Sequence, residues 1–70
     1  MTNFTEQDRQ FMQRAFELAE TAKEKGEVPV GAVLVKDGEV VGEGFNQPIL
    51  NSDPTAHAEI VALREAGSKL

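Results

Sequence analysis

The chain has 70 residues, and its 7 lysines and arginines face 12 aspartates and glutamates, which gives a net charge of −5. This acidic balance argues against a strong nonspecific grip on nucleic acid, and the absence of cysteine excludes disulfides and thiolate ligands from this chain. No apolar run approaches the roughly 20 residues of a membrane-spanning helix, and a chain without cysteine suits a reducing cytoplasm.

Residues 5–25 are predicted to form an amphipathic helix. Apolar side chains recur there at spacings of three and four, which places them on one stripe. The members of this stripe are Phe11, Met12, Ala15, Phe16, Leu18, Ala19 and Ala22. Thr5 followed by Asp8 resembles a capping box, and Gly26 stands where a left-handed residue commonly follows a helix. We interpret the stripe as core packing.

Two strands are predicted next, at residues 28–36 and 39–45, with Asp37-Gly38 as the hairpin turn between them. The first strand is almost continuously apolar, which is typical of a strand with both faces covered. Pro29 has no N–H to donate, so we expect it at the start of the strand or on a sheet edge.

Glycines interrupt both predicted strands, at Gly31, Gly42 and Gly44. Such glycines mark either bulges and bends or places where another group comes close to the backbone. For Gly31 both interpretations stay open.

A turn-rich loop is predicted at residues 46–53, and a second helix from about Pro54 to Ala66. Either Asp53 or Thr55 is expected to cap this helix, because both side chains can accept a hydrogen bond from its first turn. Gly67 is expected to end it.

The predicted order is helix, strand, strand, helix, which indicates an α/β fold. A two-stranded ribbon is marginal alone, and its outer edges stay open even when helices cover its faces. We therefore expect residues 1–70 to be an incomplete portion of a larger domain.

The segment PTAHAEI contains the only histidine of the chain, His57, two residues before Glu59. At the first turn of a helix, both side chains can flank a site beside unpaired N–H groups and a partial positive charge. A neutral imidazole can bind zinc there, and a carboxylate can take a proton from a water that the metal activates. A surface histidine beside a glutamate that favours the helix dipole gives the same pattern, so the spacing alone is a weak signal.

Three motifs agree in order and spacing with one family: VPVGAVLV, GEGFN and DPTAHAEIVALR. They resemble the bacterial tRNA-specific adenosine deaminases, which belong to the cytidine deaminase-like zinc hydrolases, and the resemblance covers the whole chain. It implies a three-layer α/β/α fold around a mixed sheet. It also implies zinc-dependent hydrolytic conversion of adenosine to inosine at the wobble position of a tRNA anticodon stem-loop, usually by a homodimer.

The resemblance also implies roles for individual residues. His57 resembles the histidine zinc ligand, and Glu59 resembles the proton shuttle, which is not itself a ligand. Asn46 matches the asparagine that hydrogen-bonds the target base. Val30 and Ala58 match positions that line the pocket, where the base lies against Val30 and the helix N-terminus at Ala58 faces the site.

The second half of the family's zinc site has the form P-C-x-x-C, which this chain does not contain. A closed zinc site needs three protein ligands, and this chain offers one histidine and no cysteine. We therefore expect residues 1–70 to be the N-terminal part of a deaminase domain, truncated before that half-site and inactive alone. Phe45 stands where many relatives carry Trp.

Two other functions stay open. A zinc deaminase of a free base or nucleoside, of the guanine or cytosine type, is favoured by the acidic charge, whereas VPVGAV favours the tRNA enzyme. An inactive fragment could instead serve as an interaction module that pairs its open sheet edge with another chain.

Overall fold

The computed structural model describes residues 5–69. Its helices and strands are α1 (Glu6–Glu24), β1 (Gly31–Lys36), β2 (Glu39–Phe45) and α2 (Ala58–Ser68). The predicted order of elements is confirmed, and Pro29 precedes the first strand as expected. β1 begins later than predicted, because the N–H of Val30 donates to the carbonyl of Val28 at 2.8 Å and bends the chain there. No helix within residues 5–69 is long and apolar enough to cross a membrane.

Both ends of α1 are closed by the local signals that the sequence predicts. Thr5 Oγ1 accepts from the amide of Asp8 at 3.0 Å, and Asp8 Oδ2 accepts from the amide of Thr5 at 3.2 Å, which completes the capping box. At the other end Gly26 has φ of 77°, and the amide of Glu27 donates back to the carbonyl of Ala22 at 2.9 Å. This left-handed ending satisfies carbonyls that the helix itself leaves free.

The two strands form an antiparallel hairpin around Asp37-Gly38. Both turn residues have positive φ, 52° and 78°, which matches the right-handed twist of the strands and confirms the predicted turn. The register shifts by one residue between Leu34 and Val35, so Val41 of β2 forms a bulge.

The two helices cover opposite faces of the hairpin. Gly31 lies directly opposite Phe45, whereas Ala32 lies directly opposite Gly44. Residues that are directly opposite share a face and successive residues alternate, so these two pairs point to opposite sides. The α1 backbone lies against Gly31 and the α2 backbone lies against Gly44. The layers are therefore α1, sheet and α2, which confirms the predicted α/β/α arrangement.

The glycines of the strands are contact points for helix backbone. A Cβ at Gly31 would lie 2.6 Å from the amide nitrogen of Ala19 in α1, and a Cβ at Gly44 would lie 2.7 Å from that of Ala62 in α2. Gly42 likewise faces α2, and it follows the bulged residue Val41. The interpretation of close approach is therefore confirmed at Gly31, and the approaching group is a helix of the same chain.

The core between these layers is thin. Its buried apolar residues are Leu18, Ala22, Ala56, Ala58, Ala62 and Ala66. The interpretation of the whole α1 stripe as core packing is wrong for Met12 and Phe16. These two residues are 64% and 61% exposed to solvent in the part of the chain that the structure describes. Because small residues bury little apolar area, the hydrophobic contribution to folding is modest.

The outer edge of β2 is partly closed by side chains. The amide of Glu43 donates to Glu65 Oε1 at 3.2 Å, and Lys69 reaches the same oxygen at 3.3 Å. Arg14 of α1 donates to both carboxylate oxygens of Glu43, at 2.7 and 2.9 Å, and this pairing holds the pKa of Glu43 below its usual value. No strand lies beside the outer edge of β1 in the part of the chain that the structure describes.

Candidate functional site

The start of α2 differs from the prediction. Neither Asp53 nor Thr55 caps the helix; instead Asp53 Oδ1 accepts from the amide of Thr55 at 2.9 Å and from its hydroxyl at 2.7 Å. The amide of Ala56 also donates to the carbonyl of Asp53 at 3.0 Å. Residues 53–56 therefore form a separate turn, and the helix begins only after it.

His57 occupies the N-cap position of α2, with extended backbone at φ −77° and ψ 155°. Its side chain makes no capping hydrogen bond. At the other end the prediction is also wrong, because Gly67 lies inside the helix, which continues to Ser68. A glycine near a helix end needs no left-handed conformation when the helix can continue past it.

Asn46 joins the segments that form the site. Its Oδ1 accepts from the amide of Ala58 at 2.8 Å, and its own amide donates to the carbonyl of Val30 at 3.1 Å. The residue is 6% exposed. Its Nδ2 donates no hydrogen bond to any residue from 5 to 69, and it is not sealed from solvent. Asn46 therefore keeps one donor available beside the first turn of α2.

The five predicted site residues lie at one end of the fold. Val30 precedes β1 and Asn46 follows β2, and the two are hydrogen-bonded to each other. Asn46 is also hydrogen-bonded to Ala58 at the start of α2. His57 and Glu59 are the exposed neighbours of Ala58 in the chain. The structure thus joins Val30 and Ala58 through Asn46, which is hydrogen-bonded to both, and His57 and Glu59 flank Ala58 at the start of the helix.

The donor set fits part of a zinc site. The imidazole of His57 is exposed and is not used for capping, and a neutral imidazole is a common zinc ligand. Residues 5–69 contain no group of three histidines, cysteines, aspartates or glutamates close enough to hold a metal ion. These residues therefore fit one protein ligand with a carboxylate nearby, and further ligands would come from other residues.

The loop between Asn46 and α2 is held by its own hydrogen bonds. The amide of Gln47 donates to the carbonyl of Ala56 at 2.8 Å and closes the base of the loop. Inside it, the amide of Asp53 donates to the carbonyl of Pro48 at 3.0 Å. The hydrogen bonds from Thr55, with a smaller effect from Arg64, lower the pKa of Asp53. The loop is therefore a compact unit with its two ends in contact.

Glu27 is a residue that the sequence analysis did not single out. Its carboxylate is buried and accepts hydrogen bonds from the amides of Ile49 and Leu50, at 3.2 and 2.8 Å. The only sequence signal is a carboxylate placed between the glycine that ends α1 and an apolar run. That context does not reveal partners that lie 22 and 23 residues away.

Known proteins are similar to this chain in sequence. The family model of the cytidine and deoxycytidylate deaminase zinc-binding region matches residues 5–69. The chain is 52% identical over 67 residues to the tRNA-specific adenosine deaminase of Haemophilus influenzae, an alignment that covers 94% of this chain and 39% of that protein. It is 54% identical over 63 residues to the enzyme of the same name from Buchnera aphidicola, with 90% and 39% covered.

Solved structures agree with the fold. A structure from work on tRNA:A34 deaminases, which edit A to I at the wobble position of transfer RNA, superimposes with a TM-score of 0.85 at 44% identity, covering 87% of this chain and 44% of that chain. A guanine deaminase from Bacillus subtilis superimposes with a TM-score of 0.76 at 46% identity, covering 83% and 38%. The chain thus spans well under half the length of these relatives, and it belongs to the cytidine and deoxycytidylate deaminase family, within its zinc-binding region.

Proposed function

We propose that this chain supplies the N-terminal part of a zinc-dependent deaminase that converts adenosine to inosine at the wobble position of tRNA. The observation that carries the proposal is the donor arrangement at the start of α2. Within residues 5–69, Asn46 caps the helix through Oδ1 while its Nδ2 donates no hydrogen bond, and the imidazole of His57 makes no capping hydrogen bond. A base-recognising donor and a potential metal ligand therefore lie on neighbouring segments.

Each residue has a defined task in this proposal. His57 would hold zinc through an imidazole nitrogen, and the ion when bound supplies a water that is activated near neutral pH. Glu59 takes a proton from the attacking water and delivers protons to the ring and to the leaving amine. Water adds at C6 of adenine and ammonia leaves, so the reaction is a hydrolysis. Asn46 Nδ2 donates to the base, which lies against Val30 and the helix start at Ala58.

The remaining parts of the enzyme are also proposed. The two curated relatives described above are each covered over only 39% of their length, which leaves room in them for further zinc ligands and further strands. We propose that the complete enzyme adds two cysteine ligands in a P-C-x-x-C segment, works as a homodimer and acts in the cytoplasm on the anticodon stem-loop. Without such a segment, residues 1–70 would not turn over substrate.

A chimera tests this proposal. Residues 1–70 would replace the matching N-terminal portion of the Haemophilus influenzae relative, and the purified chimera would be assayed for zinc and for inosine in an anticodon stem-loop RNA. We expect one zinc per chain and inosine formation, whereas the 70-residue chain alone gives neither. A folded chimera that holds zinc but forms no inosine would contradict the tRNA assignment.

The second candidate is a deaminase of a free base. The similarity to guanine deaminase, 46% identical in the superimposed part, and the net charge of −5 favour it. The same chimera would be offered free guanine, cytosine and nucleosides in parallel with the RNA. Deamination of guanine in preference to the RNA would select this candidate. A chimera that folds without binding zinc would instead favour the inactive interaction module.

A further inference from the structure

We propose that Glu27 is a positioning residue for the deaminase site, which holds the loop between Asn46 and α2 in place through two backbone amides. The inference rests on the proposed function for its catalytic meaning. The two hydrogen bonds from the loop amides to Glu27, which we call the clamp, are a property of this chain. Glu27 is 6% exposed and lies in the turn that follows α1. Glu27 is not one of the five site residues that the resemblance implies.

The contacts of Glu27 match a carboxylate and no other side chain. Oε1 accepts from the amide of Ile49 at 3.2 Å, and Oε2 accepts from the amide of Leu50 at 2.8 Å. Successive amides that point the same way form a concave site for an anion, and a carboxylate offers two acceptors without a donor. Within residues 5–69 no lysine, arginine or histidine lies within ion-pair distance of Glu27. The two amides are therefore the groups that compensate its burial.

The segment that carries Glu27 also carries a second attachment to the site. Three residues later, the carbonyl of Val30 accepts from the amide of Asn46 at 3.1 Å. One short segment thus holds the loop at Asn46, where the loop starts, and at Ile49 and Leu50, near its tip. Because Asn46 in turn accepts from the amide of Ala58, the position of the loop is linked to the first turn of α2.

The direction of the loop side chains supports this role. Glu27 binds the loop through main-chain groups, and the side chains of Ile49 and Leu50 remain exposed. A clamp on the main chain orders the loop without burying its side chains. The ordered loop is therefore fixed beside Asn46 before any substrate arrives, which lowers the entropy cost of binding.

The test compares Glu27→Gln with Glu24→Gln in the full 70-residue chain. Glutamine has the same shape, but its Nε2 would face one of the two amides, donor against donor. Glu24 is exposed at the end of α1 and serves as the matched control. Nuclear magnetic resonance would follow amide hydrogen exchange at Ile49 and Leu50 and the chemical shift of the Ala58 amide.

We expect exchange at Ile49 and Leu50 to become about tenfold faster or more in Glu27→Gln, with a shifted Ala58 signal and unchanged exchange in the β1–β2 hairpin. Glu24→Gln should match the parent chain. Unchanged exchange in Glu27→Gln would overturn the clamp. A parent chain in which these two amides exchange at the rate of an unfolded peptide would overturn it as well.

Kinetics in the chimera separate positioning from simple loss of fold. Partial unfolding lowers kcat per total enzyme and leaves KM unchanged, whereas a displaced loop weakens substrate binding and raises KM. We expect Glu27→Gln to raise KM for the stem-loop by about fivefold with little change in kcat or zinc content. A fall in kcat alone would assign Glu27 a structural role only. The exchange measurement needs no deaminase activity, so it stands even if the proposed function fails.

Discussion

Asn46 Oδ1 accepts a hydrogen bond from the amide of Ala58 at 2.8 Å, and both residues are buried. The first turn of α2 is therefore capped by a side chain from the end of β2, twelve residues earlier in the chain. His57 occupies the N-cap position in the backbone, but its side chain makes no capping hydrogen bond. The helix start is stabilised while the imidazole remains available for another partner.

The cap can be separated from base recognition by two substitutions. Asn46→Ala removes the acceptor for the buried Ala58 amide, so we expect the free energy of unfolding to fall by about 1–3 kcal/mol. Asn46→Asp keeps an acceptor and adds negative charge at a helix N-terminus, so we expect the free energy of unfolding to stay within about 1 kcal/mol of the parent. Urea unfolding followed by circular dichroism would measure both.

In the chimera both variants should lose activity, because both lack Nδ2. Asn46→Asp is the informative case, since we expect it to keep the fold while a charged oxygen replaces the amide donor. Full inosine formation by Asn46→Asp would contradict the proposed contact with the base.

The close approach of α2 to the sheet predicts a large effect at Gly44. Gly44→Ala would place a Cβ 2.7 Å from the amide nitrogen of Ala62, against backbone that cannot rotate away. We expect a loss of about 1–3 kcal/mol in the free energy of unfolding. Gly67→Ala is the matched control, because within residues 5–69 nothing beyond its chain neighbours and the adjacent backbone of its own helix lies within 4 Å of the added carbon, and the site is helical.

In the control, Gly67→Ala, we expect the free energy of unfolding to rise by up to about 1 kcal/mol, because alanine restricts the unfolded chain and favours helix. Thermal unfolding of the two variants beside the parent would show both signs. Equal stability of Gly44→Ala and the parent would mean that α2 lies farther from β2 than the structure shows.

The ion pair between α1 and β2 predicts a pH dependence. Hydrogen bonds from Arg14 hold the pKa of Glu43 below its usual value of 4.5. A lowered pKa in the folded state stabilises the fold above the unfolded value, and that stabilisation disappears as pH falls through the folded pKa. Both side chains are partly exposed, so we expect the contribution to be at most about 1 kcal/mol.

Denaturant unfolding of the parent and of Glu43→Gln between pH 7 and pH 3 would measure this contribution. The free energy of unfolding should be higher for the parent than for Glu43→Gln at pH 7, and this difference should shrink below about pH 4.5. Glu20→Gln, which alters an exposed carboxylate on α1, should show no such difference. A difference for Glu43→Gln that does not change with pH would exclude the ion pair as its cause.

The proposed roles of His57 and Glu59 predict a split between metal content and turnover. In the chimera, His57→Ala should lose zinc and activity together. Glu59→Gln should keep one zinc per chain and lose activity by about a hundredfold or more, because it cannot transfer protons. Metal analysis and an inosine assay on the same preparations would test this, and retained turnover in Glu59→Gln would remove the proton-transfer assignment.

Local signals were sufficient for much of the fold. The capping box at Thr5 and Asp8 and the turn at Asp37-Gly38 each involve residues close in sequence, so the residue types alone predicted the geometry. The start of α2 was predicted too early because Asp53 and Thr55 are good capping residues. They form their own turn instead, and the cap comes from Asn46, which no local pattern could indicate.

The candidate site likewise combines features that local sequence predicts with features that depend on residues distant in sequence. The motif around His57 indicated the family, which the family model confirms, and it predicted where the site lies, whereas the two hydrogen bonds of Glu27 depend on contacts across the fold. Gly31 is intermediate: its residue type indicated that some group comes close. Only the structure shows that this group is the backbone of α1.

The glycine contacts have a consequence for how precisely α2 is placed. Where Gly44 lies against Ala58 and Ala62, main-chain atoms of helix and strand meet directly. Long side chains at such an interface would let the spacing drift as their torsions change, but main-chain contact has no torsion to adjust. The main-chain contact therefore sets a fixed minimum distance between α2 and β2. The outward surface of the helix can vary in sequence while the end that carries His57 keeps its position.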